Sequence, residues 1–154
     1  METIYSRNTI ISLGVVAMLS GCAVMIPGHL YPVQGPLSKQ TVPPIYTASL
    51  NGSVLPHGTI TVKMAPGVAC PGDWKAISQK DSSGRQMAAE WDAVYGNGYF
   101  VANVLGQRTY ARATLTCSNG TKLNLEFLVV KPGDPSSVVG VVTDEAGNLF
   151  KLSF

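Results

Sequence analysis

The chain has 154 residues, a mass of 16.3 kDa and a formal charge of +2, and only 13% of its residues are charged. This length suits one small folded domain better than a multi-domain enzyme. The scarcity of charge excludes long disordered acidic or basic tails. The 11 Lys and Arg residues stand apart rather than in a basic run, so no nucleic-acid partner is predicted.

The first 21 residues predict an export signal. Arg7 supplies a positive charge, and residues 10–19 form an apolar stretch that Ser20 and Gly21 then interrupt. The stretch has the length of a signal-peptide core, and it is too short for a membrane-spanning helix, which needs about 20 apolar residues. The sequence therefore predicts export rather than a permanent N-terminal span.

The residues at the end of this stretch are Leu19, Ser20, Gly21 and Cys22. They resemble the lipobox of bacterial lipoproteins, in which a cysteine thiolate is alkylated by a diacylglycerol donor and small residues before it admit a peptidase. The resemblance implies that Cys22 becomes the acylated first residue of the mature protein and anchors it in a membrane. In lipoproteins of Gram-negative envelopes, Asp after the acylated cysteine commonly retains the protein at the inner membrane. Here the residue is Ala23, so the resemblance favours the periplasmic face of the outer membrane. An ordinary secreted protein and an uncleaved anchor are the alternatives.

Residues 22–44 are predicted to be the lipidated cysteine and a Pro-rich tether, because residues 23–44 hold five of the ten prolines. Proline favours extended conformations, so this tether could reach roughly 70 Å at about 3.1 Å per residue. Leu30, Tyr31 and Val33 are apolar enough for part of the segment to dock on the domain as an edge strand. The folded domain is predicted to span residues 45–154.

The domain is predicted to be mainly β, a small antiparallel sandwich or a partly open barrel with one short helix. Turn residues at 118–120 and 145–148 predict two hairpins, and a small membrane barrel is disfavoured because several strands are shorter than about 9 residues. Met87, Trp91 and Tyr95 lie at helical spacing between cap-type residues at 81–83 and Gly96. The alternating strand candidates are residues 59–64, 110–117, 121–130, 138–143 and 149–154.

Cys70 and Cys117 are left as an even pair once Cys22 is assigned to lipid. In an exported chain such a pair predicts a disulfide. A catalytic thiol and a metal site are the alternatives, but only His29 and His57 are available as histidine partners, and no metal-ligand spacing occurs.

No enzymatic motif is found, and neither a cofactor nor a metal is predicted. Glu90 and Asp92 flank Trp91 and could form a carboxylate pair for glycan hydrolysis, which stays as an alternative although such a pair is aligned on a strand and not on a helix. The protein is predicted not to be an enzyme.

Aromatic residues of the central third could line a groove for a glycan or a peptide, with core packing as the alternative. The candidate ligand surface comprises Trp74, Trp91, Tyr95 and Tyr99.

Residues 70–74, 94–99, 104–106 and 111–113 resemble small uncharacterised bacterial envelope lipoproteins, and this resemblance implies no activity. We therefore predict a lipid-anchored envelope protein that acts as a binding or structural module, with an envelope protein or a glycan as partner. A lipoprotein inhibitor of an incoming hydrolase or phage is the alternative.

Overall fold

A computed structural model describes residues 25–51, 57–77, 87–131 and 134–154. Its eight antiparallel strands follow chain order around a closed barrel, in which the last strand pairs with the first. The mainly β prediction is confirmed, and the sheet closes on itself rather than forming a sandwich or an open barrel. The strands are β1 (Met25–Gln34), β2 (Tyr46–Asn51), β3 (His57–Ala65), β4 (Val68–Ala76), β5 (Tyr110–Thr116), β6 (Lys122–Val129), β7 (Val138–Asp144) and β8 (Leu149–Ser153).

Alternate side chains of the strands point into the barrel, and most of them are buried there. An eight-stranded barrel is just wide enough for side chains to fill its interior. The largest interior rings belong to Trp74 and Phe127, which meet edge to face with centroids 5.3 Å apart. The predicted alternation in β3, β5 and β6 is confirmed, since one face of these strands contributes the buried Ile60, Val62, Ala111, Ala113, Leu115, Leu123, Leu125 and Phe127.

The predicted tether is wrong for residues 25–34, which form β1 and close the barrel between β2 and β8. Ile26 and Leu30 are buried in the interior, so the folded domain begins before residue 45. The sequence does not indicate this strand, because proline is atypical of a strand that pairs on both sides. Pro27 lies at an exposed, outward position, and Pro32 lies beside a register shift in the pairing with β8, where a missing amide is tolerated.

A single α-helix, α1 (Ala88–Tyr95), lies among the described residues, followed by a π-helical turn (Phe100–Val104). The predicted helix is confirmed and ends before Gly96, whereas the predicted cap residues 81–83 lie outside the described residues. No helix in the described ranges is long and apolar enough to cross a membrane. A second apolar cluster on the outer barrel wall joins the helix and turn to β5–β8, namely Met87, Trp91, Phe100, Val104, Tyr110, Leu128, Val141 and Leu149.

The barrel has two distinct ends because its strands alternate in direction. We call one the termini end, since β1 begins and β8 finishes there; it also carries the β2–β3, β4–β5 and β6–β7 connections. We call the other the turn end, because it carries the β1–β2, β3–β4, β5–β6 and β7–β8 connections.

Candidate binding site

Three of the four predicted ligand-surface aromatics come together on the outer wall. The rings of Tyr95 and Tyr99 stack with centroids 4.8 Å apart, and Trp91 lies 5.4 Å from Tyr95 and 6.0 Å from Tyr99. Trp74 is not part of this group. It lies inside the barrel, where its Nε1 donates a hydrogen bond to the Asn51 carbonyl oxygen at 3.1 Å.

The aromatic stack fastens α1 to the barrel rather than offering open ring faces. Trp91 is fully buried, and Tyr95 is covered by Tyr99 and by the Lys151 ammonium, whose Nζ lies 5.4 Å from its ring centroid. The Tyr95 hydroxyl lies 3.1 Å from the carbonyl oxygen of Gly140 and 3.2 Å from that of Leu152. Burial raises the pKa of Tyr95 to about 12, so the hydroxyl keeps its proton and its role as a donor at neutral pH.

Beneath α1 a fully buried carboxylate, Glu126, accepts hydrogen bonds from three residues, two at α1 and one on β5. Trp91 Nε1 donates to its Oε2 at 3.0 Å, and the Met87 amide lies 3.3 Å from both of its oxygens. Arg112 donates to Oε1 through Nη2 at 2.7 Å and through Nε at 3.1 Å. Such charge-assisted bonds offset the cost of removing a carboxylate from water. Glu126 therefore links the start of α1 to the β5–β6 hairpin.

The Tyr110 hydroxyl lies next to the Glu126–Arg112 pair but makes no hydrogen bond within the described residues, although it is buried. Its burial, and then the neighbouring carboxylate, raise its pKa well above the ordinary value. Desolvation lowers the pKa of Arg112, but the hydrogen bond and the charge of Glu126 outweigh it and the net shift is upward. The guanidinium thus stays charged and paired.

A cavity of about 550 Å³ opens beside this network, between the start of α1 and the β7–β8 turn. The Arg112 side chain is 29% exposed and connects the buried carboxylate to the cavity wall. Because most of the polar lining groups are carboxylates, amides and a hydroxyl, the cavity suits a ligand rich in hydroxyl or amide groups. Its polar lining residues are Gln34, Glu90, Arg112, Asn124, Thr143, Asp144, Glu145 and Asn148.

The two carboxylates that flank Trp91 are not brought together. Glu90 lines the cavity, whereas Asp92 accepts hydrogen bonds from the amides of Gly98 at 3.0 Å and Phe100 at 2.9 Å. The bond from the Phe100 amide has the larger effect and that from the Gly98 amide the next, and together they lower the pKa of Asp92 below its ordinary value. Asp92 thus shapes the link between α1 and the π-helical turn, and it does not form the predicted pair with Glu90.

The predicted disulfide is present between Cys70 and Cys117, so neither thiol is free for catalysis or metal binding. His57 is exposed at the start of β3, and His29 is exposed on β1 with its ring centroid 6.2 Å from that of Tyr31. Among the described residues, no group of three or more His, Cys, Asp or Glu side chains could hold a metal ion.

Sequence reasoning missed Glu126 and Arg112. Both occupy outward positions of predicted strands, where a charged residue is ordinarily solvated. A signal did exist: a hairpin turn centred on Asn119 places residue 112 opposite residue 126, and the observed register pairs them. Opposite charges at paired positions indicate an ion pair. Nothing in the local pattern indicates that α1 covers it.

The β1–β2 connection protrudes at the turn end of the barrel. Its Leu37 amide donates to the Asn148 Oδ1 at 2.9 Å, and a short 3-10 helix (Leu37–Lys39) follows. Val42 is 81% exposed and Ile45 is 59% exposed. The buried Asn148 side chain thus holds one end of a loop that presents Val42 and Ile45 to solvent.

No protein-family model, curated protein or solved structure matches the chain. Cys22 and the lipobox lie outside the described residues. Lipid attachment and the resemblance to small envelope lipoproteins therefore stay predictions.

Proposed function

We propose that this protein is a lipoprotein of the bacterial cell envelope, held in the periplasmic leaflet of the outer membrane by acyl chains on Cys22, and that its barrel is a binding module. The observation that carries the proposal is the lipobox Leu19-Ser20-Gly21-Cys22, placed directly after an apolar signal core. Two or more acyl chains give stable anchoring, whereas one is marginal.

The position of the cavity supports a binding role for an anchored protein. The chain enters the barrel at the termini end, whereas the cavity is bounded by the last residue of β1 and by the β7–β8 turn, both at the turn end. An anchor at the termini end therefore leaves the cavity directed away from the membrane. Confinement to a surface raises the effective concentration of the module toward other envelope components, so that modest contacts suffice.

The polar lining favours a glycan or a peptide as the bound partner. Asn124 and Thr143 offer amide and hydroxyl groups, and Glu90 can accept hydrogen bonds from hydroxyl or amide donors. Arg112 adds a planar donor at the inner wall. We expect binding to depend on hydrogen bonds more than on ring stacking, because the aromatic stack is largely covered.

The anchor is tested by membrane fractionation of the full chain and its Cys22→Ser variant. We expect Cys22→Ser to leave the membrane fraction, and a matched Ser20→Ala variant to stay there because a small residue still precedes the cysteine. Retention of Cys22→Ser in membranes would overturn the lipid anchor.

The cavity is tested by affinity capture from envelope extracts with Cys22→Ser protein as bait. We expect Thr143→Arg, which fills the cavity, to lose the captured glycan or protein. Thr47→Arg makes the same substitution on the exposed face of β2 and should retain it. Equal capture by both variants would place the binding surface elsewhere.

A second candidate function, inhibition of an incoming hydrolase or phage, is favoured by one observation, the exposed Val42 on a loop fixed through Asn148. A held loop with an apolar tip can enter a foreign cleft at a low entropic cost. We expect Val42→Glu to abolish such an interaction while Thr143→Arg leaves it intact. The reverse pattern would favour the cavity.

A further inference from the structure

We propose that the termini end of the barrel lies directly on the bilayer surface, so that the anchored protein stands upright with its turn end toward the periplasm. This inference rests on the proposed lipid anchor and specifies the partner of that end, a phospholipid surface.

Only a short length of chain separates the anchor from the barrel. β1 begins at Met25, only three residues after Cys22. Three residues span at most about 11 Å even when fully extended. Because β1 belongs to the barrel, no tether of the predicted length separates the domain from the lipid. The strand that leaves the anchor must therefore start near the headgroups.

Apolar side chains are exposed at the termini end of the barrel. Met25 is 67% exposed at the first position of β1, and Val130 is 52% exposed directly after β6. Leu105, 45% exposed, lies in the segment that leads into β5. The turn end also exposes Val42 and Ile45, but the three residues at the end that carries the anchor are placed to sit at the apolar boundary of the headgroup region.

The segment that carries Leu105 is fixed beside Val130. The Thr109 hydroxyl donates to the Val129 carbonyl oxygen at 2.8 Å, and the Val129 amide donates to the Thr109 carbonyl oxygen at 3.3 Å. The β4–β5 and β6–β7 connections therefore meet at this edge of the barrel, while Met25 lies on the opposite side of the same end.

The charges near this edge favour lipid headgroups. Arg108 and Lys131 are exposed in the same two connections. Among the described residues of the β6–β7 connection, Asp134 is the only acidic one. Its Oδ1 accepts hydrogen bonds from the Ser136 amide at 3.0 Å and from the Ser136 hydroxyl at 2.6 Å. Each exposed cation near an anionic membrane adds to the attraction between the protein and the membrane. The turn end carries Asp144 and Glu145 beside the cavity, together with the exposed Lys39, Lys63 and Lys122.

The orientation is tested with the full, lipidated chain in vesicles of phosphatidylethanolamine and phosphatidylglycerol that carry a nitroxide on the headgroup. Val130→Cys places a fluorophore at the termini end, and Gln40→Cys places the same fluorophore on the exposed β1–β2 loop at the turn end. We expect quenching at residue 130 to exceed quenching at residue 40 at least several-fold.

The outcomes separate this inference from the anchor on which it rests. If the protein sediments with the vesicles and both positions are quenched equally, or residue 40 is quenched more, the anchor stands and the upright orientation is wrong. If the protein does not sediment with the vesicles, the anchor proposal fails, and the orientation fails with it. Circular dichroism of both variants checks that the barrel is intact.

Discussion

Cys70 and Cys117 face each other across the shortest ladder of the barrel. The β4–β5 register contains three pairs, from Trp74↔Ala113 to Ala76↔Ala111, whereas every other neighbouring pair of strands has five or more. Continuing that register by four positions places Cys70 opposite Cys117. Pro71 lies between and has no amide to donate to a ladder. The disulfide therefore joins the two segments beyond the end of this ladder, next to a backbone bond from the Ser118 amide to the Ala69 carbonyl oxygen at 2.9 Å.

We predict that Cys70→Ala with Cys117→Ala lowers the free energy of unfolding by about 4 kcal/mol, the chain-entropy value for a loop of this length. The sequence separation of 47 residues sets that loop. The comparison is made by denaturant unfolding in a Cys22→Ser background, so that neither protein carries a lipid. Unchanged stability would show that the short ladder suffices without the disulfide.

We predict that Glu126→Gln destabilises the protein by about 3 kcal/mol, because breaking a largely buried pair leaves its partner uncompensated. This value lies at the lower end of the cost of breaking a buried ion pair, which is about 3–5 kcal/mol, because the Arg112 side chain is 29% exposed. Trp91→Phe removes the Nε1 donor to the carboxylate and also part of a fully buried ring, so it should cost more than the roughly 1–2 kcal/mol of the hydrogen bond alone.

A double-mutant cycle with Arg112→Met separates the pair from its surroundings. We expect the Glu126→Gln, Arg112→Met double variant to be more stable than the sum of the single losses predicts. Additive losses would mean that Glu126 acts through Trp91 and Met87 alone.

We predict that stability falls as the pH rises from about 10 through about 12. The pKa of Tyr95 is raised from 10.0 to about 12 by burial, so the folded state holds its proton where the unfolded chain has lost it. The contribution is fully present below pH 10 and disappears through the folded pKa. Tyr95→Phe should flatten this decline, with an effect of up to about 2 kcal/mol because the ring is partly exposed. An identical pH profile in the variant, measured by denaturant unfolding, would contradict the shift.

We predict that Gly140→Ala destabilises the barrel by about 1–3 kcal/mol, as overpacking does. A Cβ at this position would lie 2.5 Å from the Glu126 carbonyl oxygen and 2.9 Å from Phe127 Cβ, and neither can move without shifting β6. Gly28→Ala is the matched control, since the atoms nearest to its Cβ would belong to the ring of Phe154, a side chain rather than a strand backbone. Equal thermal denaturation midpoints for the two variants would contradict this distinction.

The strands of the C-terminal half could be predicted because their alternation is regular and their turns are short. The closure of the barrel could not, because β1 resembles a Pro-rich tether. Its inward residues Ile26, Gly28 and Leu30 do alternate, but Pro27 and Pro32 are atypical of a strand that pairs on both sides. Ring closure depends on that long-range pairing, which no local pattern encodes.

The candidate site was predictable only in fragments. The spacing of Met87, Trp91 and Tyr95 predicted α1. Three of the four candidate aromatic residues do meet, but their rings pack α1 against the barrel and do not line a groove. The cavity combines Gln34 with Asn148, which are brought together by the β1–β8 pairing. Its lining therefore follows from barrel closure, and the burial of Glu126 follows from the docking of α1.

The most direct test of the account is the intact mass of the mature protein purified from cell envelopes, with fragmentation of its N-terminal peptide. We predict a chain that begins at Cys22, lacks residues 1–21 and carries diacylglyceryl and further acyl mass on that cysteine, and that loses the lipid in Cys22→Ser. A mature chain that retains residues 1–21, or that begins elsewhere with an unmodified Cys22, would contradict the lipid anchor and the upright orientation derived from it.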